Sequence, residues 1–433
     1  MIGRPAPAGL DLEALETAAK RCALQLAGQA IETHLNQDHS DYSGPQQVCE
    51  CGGPARYAGR RPKSFQSVLG PLRLERAYYY CAACESGFFP RDRALRLEPG
   101  SLSPGVARMI ALVGAMVSFR EGHQLLQELA GVSVNPKRVE RSAEALGAAV
   151  AQDEKQHAEP LASSPPAPTL YLSLDGTGIP MRPAELSGRA GKQPDGSAKT
   201  REVKLCVIWS AEGRDEQGRP KRDDGSVSYT AALESAASPD TAPQRSEFSE
   251  RVLREIQRRQ FFEAPRTAVI ADLAPWIWNT TQELSPRSIA IADRFHVKER
   301  LSEIGKALYG AGSQQAKQWT ARRYDELDTG RFTELLRAVG RHTERCDEAR
   351  KGAAYLEAHR AKMRYPHFEN QALCTSSGVI EAGCKNVIGT RLKRGGMHWT
   401  EAGANAIIAL RCSILSARFE DFCERRFQPP TSP

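Results

Sequence analysis

Leu170-Tyr171-Leu172-Ser173-Leu174-Asp175 and Thr267-Ala268-Val269-Ile270-Ala271-Asp272 decide the fold of this chain. Each is a short apolar run closed by an aspartate, the pattern of a buried strand that ends at a turn. Between and beyond them the pattern predicts strands at 203–209 and 227–233, a helix at 247–259 and a helix at 275–284. A strand at 288–292 and a helix at 295–309 follow. Three strands, a helix, then alternating strand and helix make an α/β layer with a mixed sheet. In that order the strands closed by Asp175 and Asp272 are neighbours, which brings two carboxylates within a few ångströms, and paired carboxylates bind magnesium. Taken singly, an aspartate at a strand end is also a common turn former.

This is the element order of a ribonuclease H-like fold. Residues 310–374 are mostly helical and interrupt the alternation, so they read as an insertion within a domain spanning 170–425. After it, Glu381 lies on a helix that starts past Ser376-Ser377-Gly378, with Lys385, Arg391, Lys393 and Arg394 following. A helical glutamate is ordinarily a solvated surface residue. Here an apolar pair precedes it and a basic run follows, the setting of a third metal ligand beside a DNA backbone. Asp293-Arg294-Phe295-His296 closes the fifth strand and has two readings: a helix cap with a packed histidine, or a pair that orients a ligand, a water or a DNA strand.

Upstream, residues 151–169 are rich in proline and small residues and read as a linker. An N-terminal helical segment occupies 1–44. In 45–100, Cys49-Glu50-Cys51 and Cys81-Ala82-Ala83-Cys84 frame a hairpin turning at Gly70-Pro71. Four thiolates on a ribbon suit a tetrahedral structural zinc site, scattered core cysteines being the alternative. A ribbon this short is expected to have little core beyond the metal, and its basic run, 56–63, reads as a phosphate-binding loop. Residues 101–150 read as a helix-turn-helix: Leu125, Leu126 and Leu129 face Val139, Ala143 and Leu146 across Gly131. Asn135 caps the second helix, and Lys137, Arg138 and Arg141 stand near its start, as on a DNA recognition helix. An ordinary helical hairpin has the same signature.

The 433 residues carry a formal net charge of +7 and are 40% hydrophobic, ordinary for globular domains, with an excess of charge that permits a polyanionic partner. No apolar run approaches the ~20 residues of a membrane span, and residues 1–13 lack a signal-peptide pattern. A cytoplasmic protein is expected, with its eleven cysteines serving as thiols or metal ligands rather than disulfides.

Several stretches together resemble the ISKra-type insertion-sequence transposases, a branch of the Mutator-like DDE group. They are 174–180 (Leu-Asp-Gly-Thr-Gly-Ile-Pro), Gly191-Lys192-Gln193 with 198–204, Trp276-Ile277-Trp278-Asn279, Asp293 to His296, Gly378 to Ala382, and 391–399 (Arg-Leu-Lys-Arg-Gly-Gly-Met-His-Trp). The resemblance spans about residues 45–415. It implies Asp175, Asp272 and Glu381 as ligands of catalytic Mg2+ or Mn2+, and Asp293 and His296 as an accessory pair. It also implies double-stranded DNA as partner (element ends and target), and a homodimer or larger assembly on the nucleoid. The family's second motif has glycine after the aspartate where this chain has Leu273, which predicts a turn less able to approach DNA closely. Two rival classes share these features: a DNA-binding relative without catalysis, and a ribonuclease H-like nuclease without strand joining.

Overall fold

A computed structural model describes residues 11–97, 100–158, 166–191, 193, 196–236 and 244–427. The predicted linker's residues 159–165 and the motif residue Lys192 lie outside these. The chain divides into two compact units between Leu146 and Gly147. Among the described residues no helix is long and apolar enough to cross a membrane.

In the first unit, Asp11 caps helix α1 (Leu12–Gln37). An antiparallel sheet follows in the order β1 (Gln46–Val48), β2 (Pro54–Ser67), β3 (Gly70–Cys81) and β4 (Ser86–Phe88). The central hairpin is longer than expected and carries two apolar clusters. Ala55, Ala77, Tyr79 and Phe88 gather at the cysteine end. Phe65, Leu72, Leu74 and Leu97 gather at the turn end, covered by Leu35 of α1 and Leu95 of α2 (Pro90–Leu95). The ribbon therefore has a core besides the cysteines, contrary to expectation.

The basic run 56–63 is strand, not loop, because β3 pairs with β2 along that stretch apart from an irregularity between Tyr57 and Arg60. Arg60 is spent on Asp41 at 3.0 Å and Lys63 on the buried Asp92 at 2.9 Å. Arg56 and Arg61 remain exposed.

This unit is completed by α3 (Pro104–Met116), α4 (Phe119–Ala130) and the first half of α5 (Pro136–Gln156), which the division at Leu146 splits. A capping box between Ser118 and Glu121 starts α4, and Gly131, at φ +68°, ends it in the left-handed conformation that glycine tolerates. Asn135 caps α5 through the amide of Arg138 at 2.8 Å. Leu126, Val139, Ala143 and Leu146 are buried as expected, but Leu125 and Leu129 are exposed, so the apolar seam of α4 is narrower than its sequence suggests. The part of α5 beyond Leu146 belongs to the second unit and runs past residue 151, held there by bonds within that unit: Arg258 donates to the carbonyls of Glu154 and His157, and Arg418 and Arg425 pair with Glu154 and Asp153.

The second unit is built on a five-stranded sheet of β5 (Thr169–Pro180), β6 (Thr200–Ser210), β9 (Ser228–Ala232), β10 (Arg266–Ala271) and β11 (Ile289–Ala292), in the order β11-β10-β5-β6-β9. A two-stranded ribbon, β7 (Gly213–Arg214) and β8 (Pro220–Lys221), sits between β6 and β9 in the chain. β5, β6 and β9 are antiparallel; β10 and β11 run parallel to β5. Alternation sends Leu170, Leu172, Leu174 and Val269 to one face, against Phe248, Val252 and Ile256 of α6 (Glu247–Arg258) and Ile277 and Leu284 of α7 (Pro275–Leu284).

The opposite face carries Asp175. From β11 the chain enters α8 (Arg294–Tyr309), then the helical insertion α9 (Gln314–Asp328), α10 (Phe332–Gly340), α11 (Asp347–Ala358) and α12 (Tyr365–Asn370). It returns as α13 (Gly378–Gly383), a π-helical turn (Cys384–Gly389), α14 (Thr390–Leu392), α15 (Glu401–Leu415) and α16 (Phe419–Phe427). α13 comes close to the sheet only because Gly383 has no side chain: a Cβ there would stand 3.0 Å from Leu205 and 3.1 Å from Tyr229.

Candidate metal and nucleic-acid site

Parallel pairing sets three aspartates in one row. Val269 pairs with Leu172 and Ala271 with Ala292. Continued one residue past the ends of β10 and β11, that register places Asp272 and Asp293 beside Asp175, which lies inside β5 and not at its end as the sequence predicts, at spacings of about 4.8 Å per strand. The amide of Asp293 donates to the carbonyl of Ala271 at 2.8 Å, which holds the last two in line.

The three carboxylates differ in how much hydrogen bonding already occupies them. Asp293 is 0% exposed. Its Oδ1 accepts from the amides of Phe295 (2.6 Å) and His296 (3.2 Å), and its Oδ2 from the amide (2.6 Å) and hydroxyl of Ser377. A carboxylate offers about four lone-pair positions, so Asp293 is saturated. It caps α8 and ties down the residue before α13. Asp272 accepts on Oδ1 from the amide of Ala274 at 3.0 Å, a turn-forming bond that leaves most of the carboxylate open. Asp175 accepts from the amide of Gly176 at 2.6 Å and from the thiol of Cys384 at 3.3 Å. Burial pushes the Asp175 carboxyl above its ordinary pKa, and Asp272 pushes the same way, while the Cys384 and Gly176 bonds and His296 oppose. Burial and Asp175 together push the Cys384 thiol well up, so it stays a proton donor.

Carboxylate and imidazole atoms of Asp293, His296 and Glu381 come within 4.8 Å of one another. Glu381 is thus drawn to the β11 end of the row, because Ser377 anchors the start of its helix on Asp293. Asp175 and Asp272, read from sequence as sharing a tight cluster with Glu381, are not part of that group; His296, read as accessory, is. Glu381 is exposed and His296 half-buried. Leu273 turns inward and is buried, so its side chain does not cover the row.

Of the basic residues assigned to DNA, Arg391 is corrected. It is 0% exposed, packed over Trp399 with its ring centroid at 5.0 Å and donating to Met397, a core cation without access to a phosphate. Lys385 is exposed, and the exposed Lys393 donates to Thr177 on the strand of Asp175. Arg394 is half-buried. On α5, Lys137 pairs with Glu140 at 2.9 Å and Arg138 reaches back to Ser101 at 2.8 Å, while Arg141 is exposed.

Sequence reading missed Ser377, Cys384 and Arg411. The π-turn that begins at Cys384 frees backbone carbonyls, and Arg411 takes up those of Val387, at 2.6 Å, and Asn386. Only the side chains these residues meet in space distinguish them; their spacing carries no signal.

In the first unit the four Sγ atoms of Cys49, Cys51, Cys81 and Cys84 lie within 4.8 Å of one another, with Cys49–Cys84 and Cys51–Cys81 both at 3.6 Å. A tetrahedron with metal–sulfur bonds near 2.3 Å has edges of about 3.8 Å. One residue between Cys49 and Cys51 suffices because Gly52, at φ +82°, turns the chain back on the carbonyl of Cys49. Hydrogen bonding from Ser86 and the neighbouring thiols lowers the Cys84 pKa to about 6, while the contacts with Cys84, Cys81 and Cys49 push that of Cys51 up to about 12, so the close thiols share their protons unequally. The arrangement can hold a metal.

The model of an uncharacterised protein family, UPF0236, matches residues 9–421. The chain belongs to that family. No curated protein matches it. Among solved structures, it is similar to the Drosophila P element transposase strand transfer complex at 10% identity and a TM-score of 0.27, over 75% of this chain and 81% of that one.

Proposed function

We propose that this member of the family is a DNA transposase of ribonuclease H-like fold, similar to the ISKra-type and Mutator-like DDE enzymes, and that it cuts and joins DNA at the aspartate row. The observation that carries the reading is the row itself. Numbering the sheet's strands in chain order gives 3-2-1-4-5, with Asp175 and Asp272 in register on adjacent parallel strands and the helix of Glu381 laid against that end.

The chemistry of these donors suits a divalent ion: Asp175, Asp272 and Glu381 have free carboxylate positions and His296 adds an imidazole beside Glu381, whereas Asp293, which groups with His296 and Glu381, has its positions taken by hydrogen bonds. Asp175 and Asp272 stand outside that group, so binding by all three carboxylates requires Glu381 to move toward them. Bound Mg2+ or Mn2+ would supply activation of a nucleophilic water or 3′-hydroxyl and stabilisation of the leaving oxygen. The chain's own residues do the positioning. Asp293 locks the starts of α8 and α13 together, Gly383 admits α13 to the sheet, and Cys384 fixes the orientation of Asp175. Lys385, Lys393 and Arg394 offer positive charge to the DNA backbone beyond Glu381.

The first unit is the DNA-gripping part in this reading: Zn2+ at the four cysteines, phosphate contacts at Arg56 and Arg61, and a helix-turn-helix reading element ends through α5, with Arg141 its most available cation. Pairing two ends calls for a homodimer or larger assembly on double-stranded DNA.

The test is incubation of the protein with magnesium and labelled DNA from the flanks of its own gene. Cleavage and strand transfer are expected from the wild type. Asp175→Asn, Asp272→Asn and Glu381→Gln should each lose both while still binding the DNA. Cleavage without joining would reduce the reading to a nuclease, and binding without cleavage by the wild type would overturn it.

A further inference from the structure

Behind the aspartate row, the starts of α8 and α13 form the wall of a cavity of about 610 Å³. The cavity and the row share backbone: Phe295 stands between Asp293 and His296, and Gly378 and Val379 immediately precede Ile380 and Glu381. Two features describe what would fit. The first is an aromatic face, for Phe295 lines the cavity and is 63% exposed. The second is positive charge, since four basic and two acidic side chains line it. Arg294 and Lys298 are braced by Asp328, and Arg222, on the segment after the β7–β8 ribbon, is exposed and has no ion-pair partner among the described residues.

An anionic ligand with a flat face matches both features. The volume lies within the ~300–1,000 Å³ of small-molecule sites, a scale that suits one nucleotide and not a length of duplex. We propose that this cavity receives one unpaired nucleotide of a DNA strand, with its base against Phe295 and its phosphate at Arg222. The inference rests on the DNA-cleavage reading of the adjoining row. A nucleotide held there would place its neighbouring phosphodiester beside the carboxylates, because the cavity wall and the row share the starts of α8 and α13.

The experiment uses the full-length protein without added magnesium and follows the fluorescence anisotropy of a short labelled single-stranded DNA, with a duplex of the same sequence as comparison. Loss of one stacking platform is expected to weaken single-strand binding by Phe295→Ala about tenfold or more. Phe295→Trp should retain affinity, Arg222→Glu should lose it, and duplex binding should change by less than about twofold in all three. Both residues are exposed, so thermal melting should match the wild type. Equal loss on single strand and duplex, unchanged single-strand binding by Phe295→Ala, or a wild type that binds no single strand would each overturn the proposal. Because this readout needs no cleavage, its failure alongside magnesium-dependent cutting by the wild type removes the nucleotide site alone. The absence of cutting as well removes the reading beneath it.

Discussion

Replacing Asp293 by asparagine should destabilise the fold, whereas replacing Asp272 should leave its stability almost unchanged. The Asp293 carboxylate accepts two amides of α8 on one oxygen, and an amide and hydroxyl of Ser377 on the other. An asparagine oxygen can keep the α8 pair. Its NH2 must then face Ser377, whose hydroxyl can rotate to accept but whose backbone N–H cannot. One charge-assisted bond is lost, a fully buried N–H is left unmatched and the other bonds weaken as the charge disappears, for a total of about 3–4 kcal/mol. At roughly 2 °C per kcal/mol for a unit of this size, the melting temperature should fall by about 6–8 °C.

Asp272 accepts a single amide bond, from Ala274, which an asparagine oxygen can replace, so Asp272→Asn should shift stability by less than about 0.5 kcal/mol. Activity should order the other way. In a magnesium-dependent cleavage assay run below both transitions, Asp272→Asn should be dead and Asp293→Asn reduced about 10- to 100-fold, as for a group that positions ligands. If Asp293→Asn melts like the wild type yet abolishes cleavage, while Asp272→Asn cuts normally, the saturated carboxylate is the ligand and the assignment is reversed.

Cys81→Ser should release the bound zinc and open the end of the ribbon around Tyr79 and Phe88, while hydrogen exchange stays slow near Phe65, Leu72 and Leu74; a zinc-free wild type purified without chelators contradicts this. Burial raises the Asp175 pKa above 3.8, so the folded state holds that proton to higher pH than the unfolded chain, and the contribution of Asp175 to stability declines as pH rises through this window. Metal-free Asp175→Asn should therefore melt above the wild type at pH 7, with the gap closing toward pH 4; a gap that widens on acidification refutes the sign. Lys385→Ala should reduce the salt dependence of DNA binding by about one ion, whereas Arg391→Ala should leave that slope unchanged and lower the melting temperature, since its guanidinium is buried on Trp399.

The apolar runs leading to Asp175 and Asp272, the helix after Asp272, the helices of 310–374 and the four clustered cysteines were legible in the sequence; the end of the first strand was not, for β5 runs on through Asp175 to Pro180, paired with β6. Apolar periodicity and turn residues are local signals, and a buried strand or an amphipathic helix must display them whatever surrounds it. Asp293 as a helix cap was legible for the same reason. What packing decided was which charged groups stay available. Arg391 and Lys393 are two residues apart in one basic run, yet the first is sealed under Trp399 and the second reaches Thr177. Arg60 and Lys63 looked like a phosphate clamp until Asp41 and Asp92 met them. Leu125 and Leu129 have core chemistry but face solvent. Ser377 and Cys384 join the aspartate row from positions 84 and 209 residues along the chain from Asp293 and Asp175. No spacing encodes such meetings. They arise when the register of β5, β10 and β11 and the close approach at Gly383 put distant backbone side by side, so the row is written in the strands, but its occupancy is settled only in the folded sheet.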